Sequence, residues 1–365
     1  MQPVLIQGSK ILIVGEAPGE EEVQRGMPLV GSSGKELHSI LFEAGFPLLP
    51  AKYFSDLPNV WKTQTTFSLT NVFHERPQNN DLSTWSISIR EAKHLINPSL
   101  PWQPIRAGTK GLIHPNKAQP ALLRLQKEID QVRPNLIVAL GNTALSALSG
   151  ISGIAKLRGS IQNTSKGQKV LPTYHPAAVL RNYELRPAVV ADFLKARHEA
   201  EFPEIRLRAR KIHINPTLQD VLSWKDLLLK AEILSFDIET KLQQITCIGF
   251  SPSPDEAFVI PFWSTKGINY WEKEEDEIQA LLAVKEILEG PAKKIAHNGL
   301  YDVQYLARYG IAAKNFIHDT MLLHHSLYPA LPKALGFIGS IYCTERAWKT
   351  WRVRGSDTEE LKRDA

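Results

Sequence analysis

The stretch "SFDIET", residues 235–240, sets two acids one position apart inside an apolar run. The flanking "AEIL" and the later "QITCIGF" read as strand too. Side chains alternate along a strand, so Asp237 and Glu239 share one face while Phe236 and Ile238 take the other. Two like charges at that spacing repel. Either water or a Lys/Arg partner screens them, or a divalent cation sits between them. Outward from this strand the pattern continues with strands at 245–250 and 257–261, then a helix over 275–289. A short strand in "KKIAH" leads into a helix through "NGLYDVQYLARYG". On that helix Asn298 and Asp302 would stand i and i+4, sharing a face, with Tyr305 one turn further. Three neighbouring strands followed by strand and helix in alternation predict a mixed sheet.

The first half has a different rhythm. "KILIVG" is a short apolar strand ending in a Gly-rich turn, and "SSGKELHSILFEAGF" is a helix with Leu37, Ile40, Leu41 and Ala44 at helical spacing. "SLTNVF", "PNLIVAL" and "KVLPTY" read as strands, "QPALLRLQKEIDQV" and "GNTALSALSG" as helices. Such alternation implies a parallel sheet covered on both faces. The basic, aperiodic "EFPEIRLRARKIHINP" separates the halves as a linker or solvated strand. The expected organisation is a domain over 1–202, a linker over 203–216 and a second domain over 217–365.

The totals allow this. A chain of 365 residues with 43% hydrophobic and 22% charged residues suffices for two domains with sizeable cores. The net charge of +5 permits a polyanionic partner without requiring one. Cys247 and Cys343 are the only cysteines, which excludes a disulfide framework or a cysteine-built metal cluster. No secretory leader and no apolar run of membrane-spanning length is visible, so a cytoplasmic protein without a membrane partner is expected.

With "AHNGLYDVQYL" and "HDTMLLHHSLYPALPKALGFIGSIY" following "SFDIET", residues 230–345 resemble the proofreading 3′→5′ exonuclease domain of family A DNA polymerases. The resemblance implies a ribonuclease H-like fold. It also implies that Asp237, Glu239 and Asp302 are catalytic ligands of two Mg²⁺ or Mn²⁺ ions, with Asn298 beside the substrate, a single-stranded DNA 3′ end. The family's third motif, Tyr-x-x-x-Asp or His-x-x-x-x-Asp, is missing. The aspartates beyond Asp319 are Asp357 and Asp364, and neither has the required Tyr or His before it. Asp319 lies in the intervening segment and is not assigned as a ligand. The sequence thus reads as a piece of a longer, phage-type polymerase whose polymerase domain lies in the same full-length chain, with an incomplete exonuclease site.

"GEAPGEEEVQRGMPLVGSSGKEL", "LTNVFHERPQNN", "PNLIVALGNTAL", "KLRGSI" and "TYHPAAVLRN" occur in that order. Together they resemble the uracil-DNA glycosylase superfamily, closest to its iron–sulfur-containing family 4, over about residues 8–200. A three-layer α/β/α domain follows from the resemblance. So do site roles: Asn71 on the uracil edge, His175 donating to the base oxygen, and Glu16 placing the water and favouring a cationic sugar. Gly15, Ala17, Pro18 and Gly19 would bring backbone close to the ligand, and Leu29 would cover the base. Ser33, Asn80, Arg158 and Arg181 would neighbour the DNA backbone. The chain departs from the family twice. Leu29 in "GMPLVG" stands where an aromatic residue stacks on the base, and the four cysteine ligands are missing, with Glu75 at one of their positions. No iron–sulfur cluster is therefore expected, and packing through Trp85 and Trp102 would hold the 75–120 loop instead.

Two functional readings stay open on the sequence. One is a replication or repair enzyme joining uracil excision to 3′→5′ proofreading. The other is a non-catalytic module that binds DNA or uracil-DNA beside an inert nuclease domain.

Overall fold

The computed structural model describes residues 1–49, 57–63, 65–107 and 111–347. The chain forms two compact units, Leu207–Leu335 and the remainder, Met1–Arg206 with the segment from Gly336.

In the first unit the strand Ile11–Gly15 pairs in parallel with Ser68–Asn71 on one side and Leu136–Leu140 on the other. Lys169–Thr173 continues the parallel order, and Gln162–Asn163 closes the edge antiparallel. Alternation along the first strand explains the layering. Ile11 and Ile13 enter one apolar cluster with Leu37, Leu41 and Phe193, while Leu12 and Val14 enter another with Leu125, Ile129 and Leu145. Helices Ser32–Glu43 and Arg186–Glu199 cover the first face, and Pro115–Val132 and Gly141–Ser149 the second. This is the expected three-layer domain.

The second unit is built on a six-stranded sheet. Its centre is an antiparallel meander of Ile233–Lys241, Gln244–Ser253 and Glu256–Pro261. Lys293–Ala296 adds in parallel beside Ile233–Lys241, and Phe316–Asp319 in parallel beyond it. Numbered along the chain from Ile233, these five strands run 3-2-1-4-5, the ribonuclease H-like arrangement. Phe236 and Ile238 are buried among Val221, Ala283, Val284 and Ile287, while Asp237 and Glu239 are exposed.

Of the two readings of 203–216, the solvated strand is found at Lys211–His213, which pairs in parallel with Glu256–Pro261 at the sheet edge. His213 stacks on Phe258 at 4.6 Å between ring centroids, a tertiary contact that a short basic segment does not advertise. The helix expected through Asn298 starts only at Leu300; Asn298 has φ +59° and Gly299 is the N-cap, so Asn298 and Asp302 do not share a helical face. The turn is fixed by Asp319, whose carboxylate accepts from the backbone N–H of Asn298 (3.0 Å) and Gly299 (2.8 Å). Finally, residues from Gly336, expected in the second domain, group with the first.

Candidate functional site

Strand ends and helix starts converge at the C-terminal edge of the first sheet, where open α/β folds place their ligand sites. A cavity of about 320 Å³ lies there. Glu16, Ala17, Pro18 and Gly19 line it from the turn after Ile11–Gly15, with Leu29 and Ser33 on another wall. Asn71 comes from the end of the neighbouring strand, His175 and Arg181 from the helix Pro176–Arg181 and its cap, and Asn80 from a short turn. Blocks spread over more than 150 positions of the chain thus meet in one place.

His175 caps its helix. Its Nδ1 accepts from the Ala177 N–H at 3.1 Å, and Pro176 at the first helical position has no N–H to satisfy. Burial, and then the Arg181 charge, lower its pKa to about 4. The ring is neutral at physiological pH, and with Nδ1 accepting, the proton sits on Nε2 as a donor. Glu16 accepts from Thr143 Oγ1. Burial raises its pKa, opposed by that hydrogen bond and by Arg181. Asn71 is 2% exposed, and its Nδ2 lies 3.5 Å from Met1 Sδ.

The two glycines also meet protein side chains closely. A Cβ on Gly15 would meet Asn71 Oδ1 at 2.2 Å, and one on Gly19 would meet Glu22 Oε2 at 2.6 Å. A side chain at either position would have to displace Asn71 or Glu22, and Gly19 also lines the cavity. Gly15 itself does not line the cavity, and Glu22, Pro77 and Ala177 do.

Glu22 is the residue the sequence reading missed. Its carboxylate accepts from the N–H groups of Gly19 (3.1 Å), Val30 (3.2 Å) and Gly31 (2.8 Å), pinning the loop that carries Leu29. The signal was its place three residues after the helix cap in "GEEE", where an acid closes a capping box. Leu29 has φ +54°, left-handed for a bulky residue, and its carbonyl accepts from Trp61 Nε1 at 2.8 Å. Its side chain is therefore held against the cavity at a strain of roughly 1–2 kcal/mol.

Arg158, expected beside the DNA backbone, is 1% exposed. Its Nε donates to Asp192 Oδ2 at 2.9 Å, and it forms a buried ion pair with that aspartate. It cannot reach a phosphate. Arg181, in contrast, is exposed at the cavity mouth. Asn80 is exposed and accepts from Arg76 Nε at 2.8 Å.

Below the cavity, Glu75 is ion-paired with Lys117, whose ammonium also lies 5.1 Å from the centre of the Trp85 ring. Trp85 packs edge-on against Phe73 at 5.3 Å, and Trp102 borders the same apolar cluster. A carboxylate paired with an ammonium does not suit an iron–sulfur cluster, whose ligands are thiolates.

In the second unit Asp302 is 3% exposed, and its Oδ1 accepts from the Ile238 N–H at 2.8 Å, between the two strand acids. Burial first, and then the Asp237 and Asp319 charges, raise its pKa to about 6. Asp319, by contrast, accepts four backbone N–H bonds and is held below the ordinary range. It is a turn and helix cap. Hard oxygen donors of this kind suit Mg²⁺ or Mn²⁺. Among the described residues, however, no three His, Cys, Asp or Glu side chains stand at metal-holding spacing. Asn298 is exposed and contributes only its backbone to the turn. Asp357 and Asp364 lie outside the described residues.

The profile of the uracil DNA glycosylase superfamily matches residues 4–197. The chain belongs to that superfamily. The type-4 uracil-DNA glycosylase of Thermotoga maritima is 31% identical over 195 residues, covering 52% of this chain and 77% of that protein. The DNA polymerase of Bacillus phage SP01 is 23% identical over 364 residues, covering 88% of this chain but only 33% of the polymerase. Among solved structures, E. coli RNase D is similar at 16% identity and a TM-score of 0.28, over 42% of this chain and 39% of that one. The superfamily domain and the polymerase homology, which runs through both units, make this a protein of DNA repair or replication.

Proposed function

We propose that the first unit recognises uracil in DNA and excises it, and that the second is a metal-dependent 3′→5′ exonuclease domain of a polymerase-type protein. The observation that carries the first part is the single cavity holding Glu16, Asn71, Leu29 and a neutral His175. A base turned out of the strand would enter with its edge on Asn71. As the C1′–N bond breaks, negative charge gathers on the base and positive charge on the sugar. His175 Nε2–H donates to the base oxygen, and the Glu16 carboxylate faces the cationic sugar. Water supplies the hydroxyl to C1′, and its remaining proton goes to the departing base.

Incubation of the whole chain with a labelled uracil-containing single strand, followed by alkali, tests this. Strand cleavage at the uracil supports excision. Because His175 is neutral above about pH 4, uracil binding should be flat from roughly pH 5 to 8. Binding that fades as pH rises through 6 to 7 would mean a charged imidazole is required. A second reading, binding without excision, is favoured by Leu29, which covers the cavity without an aromatic face. Tight uracil-specific binding with no alkali-labile product would select it.

In the second unit Asp237, Glu239 and Asp302 would have to draw closer together to hold Mg²⁺ or Mn²⁺, since among the described residues no three such side chains stand at metal-holding spacing. When bound, such ions supply a hydroxide at neutral pH and stabilise the leaving 3′ oxygen. Manganese titration should release heat in the wild type and not in Asp237→Ala; equal heats would reject this ligand set. Degradation of a single strand from its 3′ end is the activity expected of a longer chain that also carries the missing third motif.

A further inference from the structure

We propose that the helix Leu335–Tyr342 is a working part of the first unit, and that through Ser340 and Arg158 it positions the strand end carrying His175. The helix meets a buried charged socket. Arg158 Nη1 donates to Ser340 Oγ at 2.9 Å, and Arg158 lies over the Phe337 ring at 5.0 Å. Lys195 Nζ donates to the carbonyls of Ser340 and Cys343, each at 2.6 Å, and to Gly159 O at 2.6 Å. A cation among the last carbonyls of a helix is favoured by both hydrogen bonding and the helix dipole.

The same socket continues toward the cavity. Asp192, paired with Arg158, also accepts from Thr173 Oγ1 at 2.6 Å, two residues before His175. The Gly159 N–H donates to Pro172 O at 2.9 Å, binding the Arg158–Gly159 turn to that strand. Gly159 has φ +70°, and a Cβ on it would meet Asp192 Oδ1 and Ser340 O, each at 2.6 Å. Helix, turn and strand are therefore fitted to one another without slack. Arg158, Asp192 and Ser340 are all at least 95% buried, with relative exposures of 1%, 1% and 5%. When Ser340 leaves, Arg158 Nη1 loses its acceptor and the guanidinium resettles between Ala188 O, 3.3 Å from Nη2, and Asp192, which also holds Thr173. Arg158 and Ser340 act through Asp192 and Thr173, so they are positioning residues.

The test uses the full chain and Ser340→Ala, with Ser340→Thr to restore the hydroxyl. Amide exchange over 336–343 should match the slow first-unit sheet in the wild type and accelerate about tenfold in Ser340→Ala. The imidazole ¹⁵N signals of His175 should shift in Ser340→Ala and return in Ser340→Thr, while exchange in the second unit stays unchanged. The ratio of affinities for uracil- and thymine-containing single strands should fall about three- to tenfold in Ser340→Ala. Free exchange of 336–343 in the wild type overturns the proposal, as does an unmoved His175 signal in Ser340→Ala. The last arm rests on the uracil-recognition reading. A His175 shift in a protein with no uracil preference would sustain the positioning role and reject that reading.

Discussion

Glu16 and Asp302 are both carboxyls largely withdrawn from water, and burial raises the pKa of each, yet their company differs. Glu16 has a hydroxyl donor in Thr143 and a favourable charge in Arg181, set against the like charge of Asp81. Asp302 has backbone donors in Ile238 and its own N–H, and the like charges of Asp237 and Asp319. The first site is partly compensated by a hydroxyl and a cation the protein supplies itself. The second stores repulsion that a proton or a cation relieves. Compensation from within suits a site whose charge develops only during reaction, whereas stored repulsion suits one that recruits an ion beforehand.

The sharpest way to break the comparison is to damage one site alone. Gly15→Ala drives a Cβ into Asn71 Oδ1 and should weaken uracil-strand binding by at least about 100-fold, while manganese heats stay the same. Equal losses at both sites would show that the two are not independent. Next comes Asp302→Asn. The folded-state pKa of about 6 lies above the ordinary 3.8, so the folded chain holds the extra proton between those values. Its stability therefore falls as pH rises through that window and stays reduced above it. Asn carries no such charge, so in EDTA at pH 7.5 the variant should be more stable, on the order of 2 kcal/mol, with the advantage gone below about pH 4. Denaturant titration at the two pH values measures it. Glu22→Gln weakens charge-assisted bonds to the Leu29 loop and should cost about 1–2 kcal/mol, seen as earlier melting of the first unit only. The smallest effect is Leu29→Phe, which should tighten uracil-strand binding about fivefold, near 1 kcal/mol, if stacking is what the cavity lacks.

The sequence made the cavity legible because its residues sit in blocks whose local rules are strong. Glycines follow the first strand, a histidine precedes proline at a helix start, and an asparagine ends an apolar strand. Alternation in "SFDIET" likewise placed Phe236 and Ile238 inside and the two acids outside, as found. Arg158 failed for the opposite reason. An arginine beside a glycine in a polar loop reads as solvated, and its partners Asp192 and Ser340 stand 34 and 182 positions away. Asn298 failed because a helical repeat gives no sign of a start set by Asp319, 21 positions downstream. Glu22 was overlooked because three acids in a row look like a charged surface, although only one of them turns inward.

The return of Gly336 to the first unit also has a consequence for synthesis. A ribosome must emit everything from Leu207 to Leu335 before the Arg158 socket can close. At roughly 5–20 residues per second that interval is on the order of ten seconds. During it the nascent glycosylase-like domain holds an uncovered arginine, aspartate and lysine, so its final locking step is timed by translation of its neighbour.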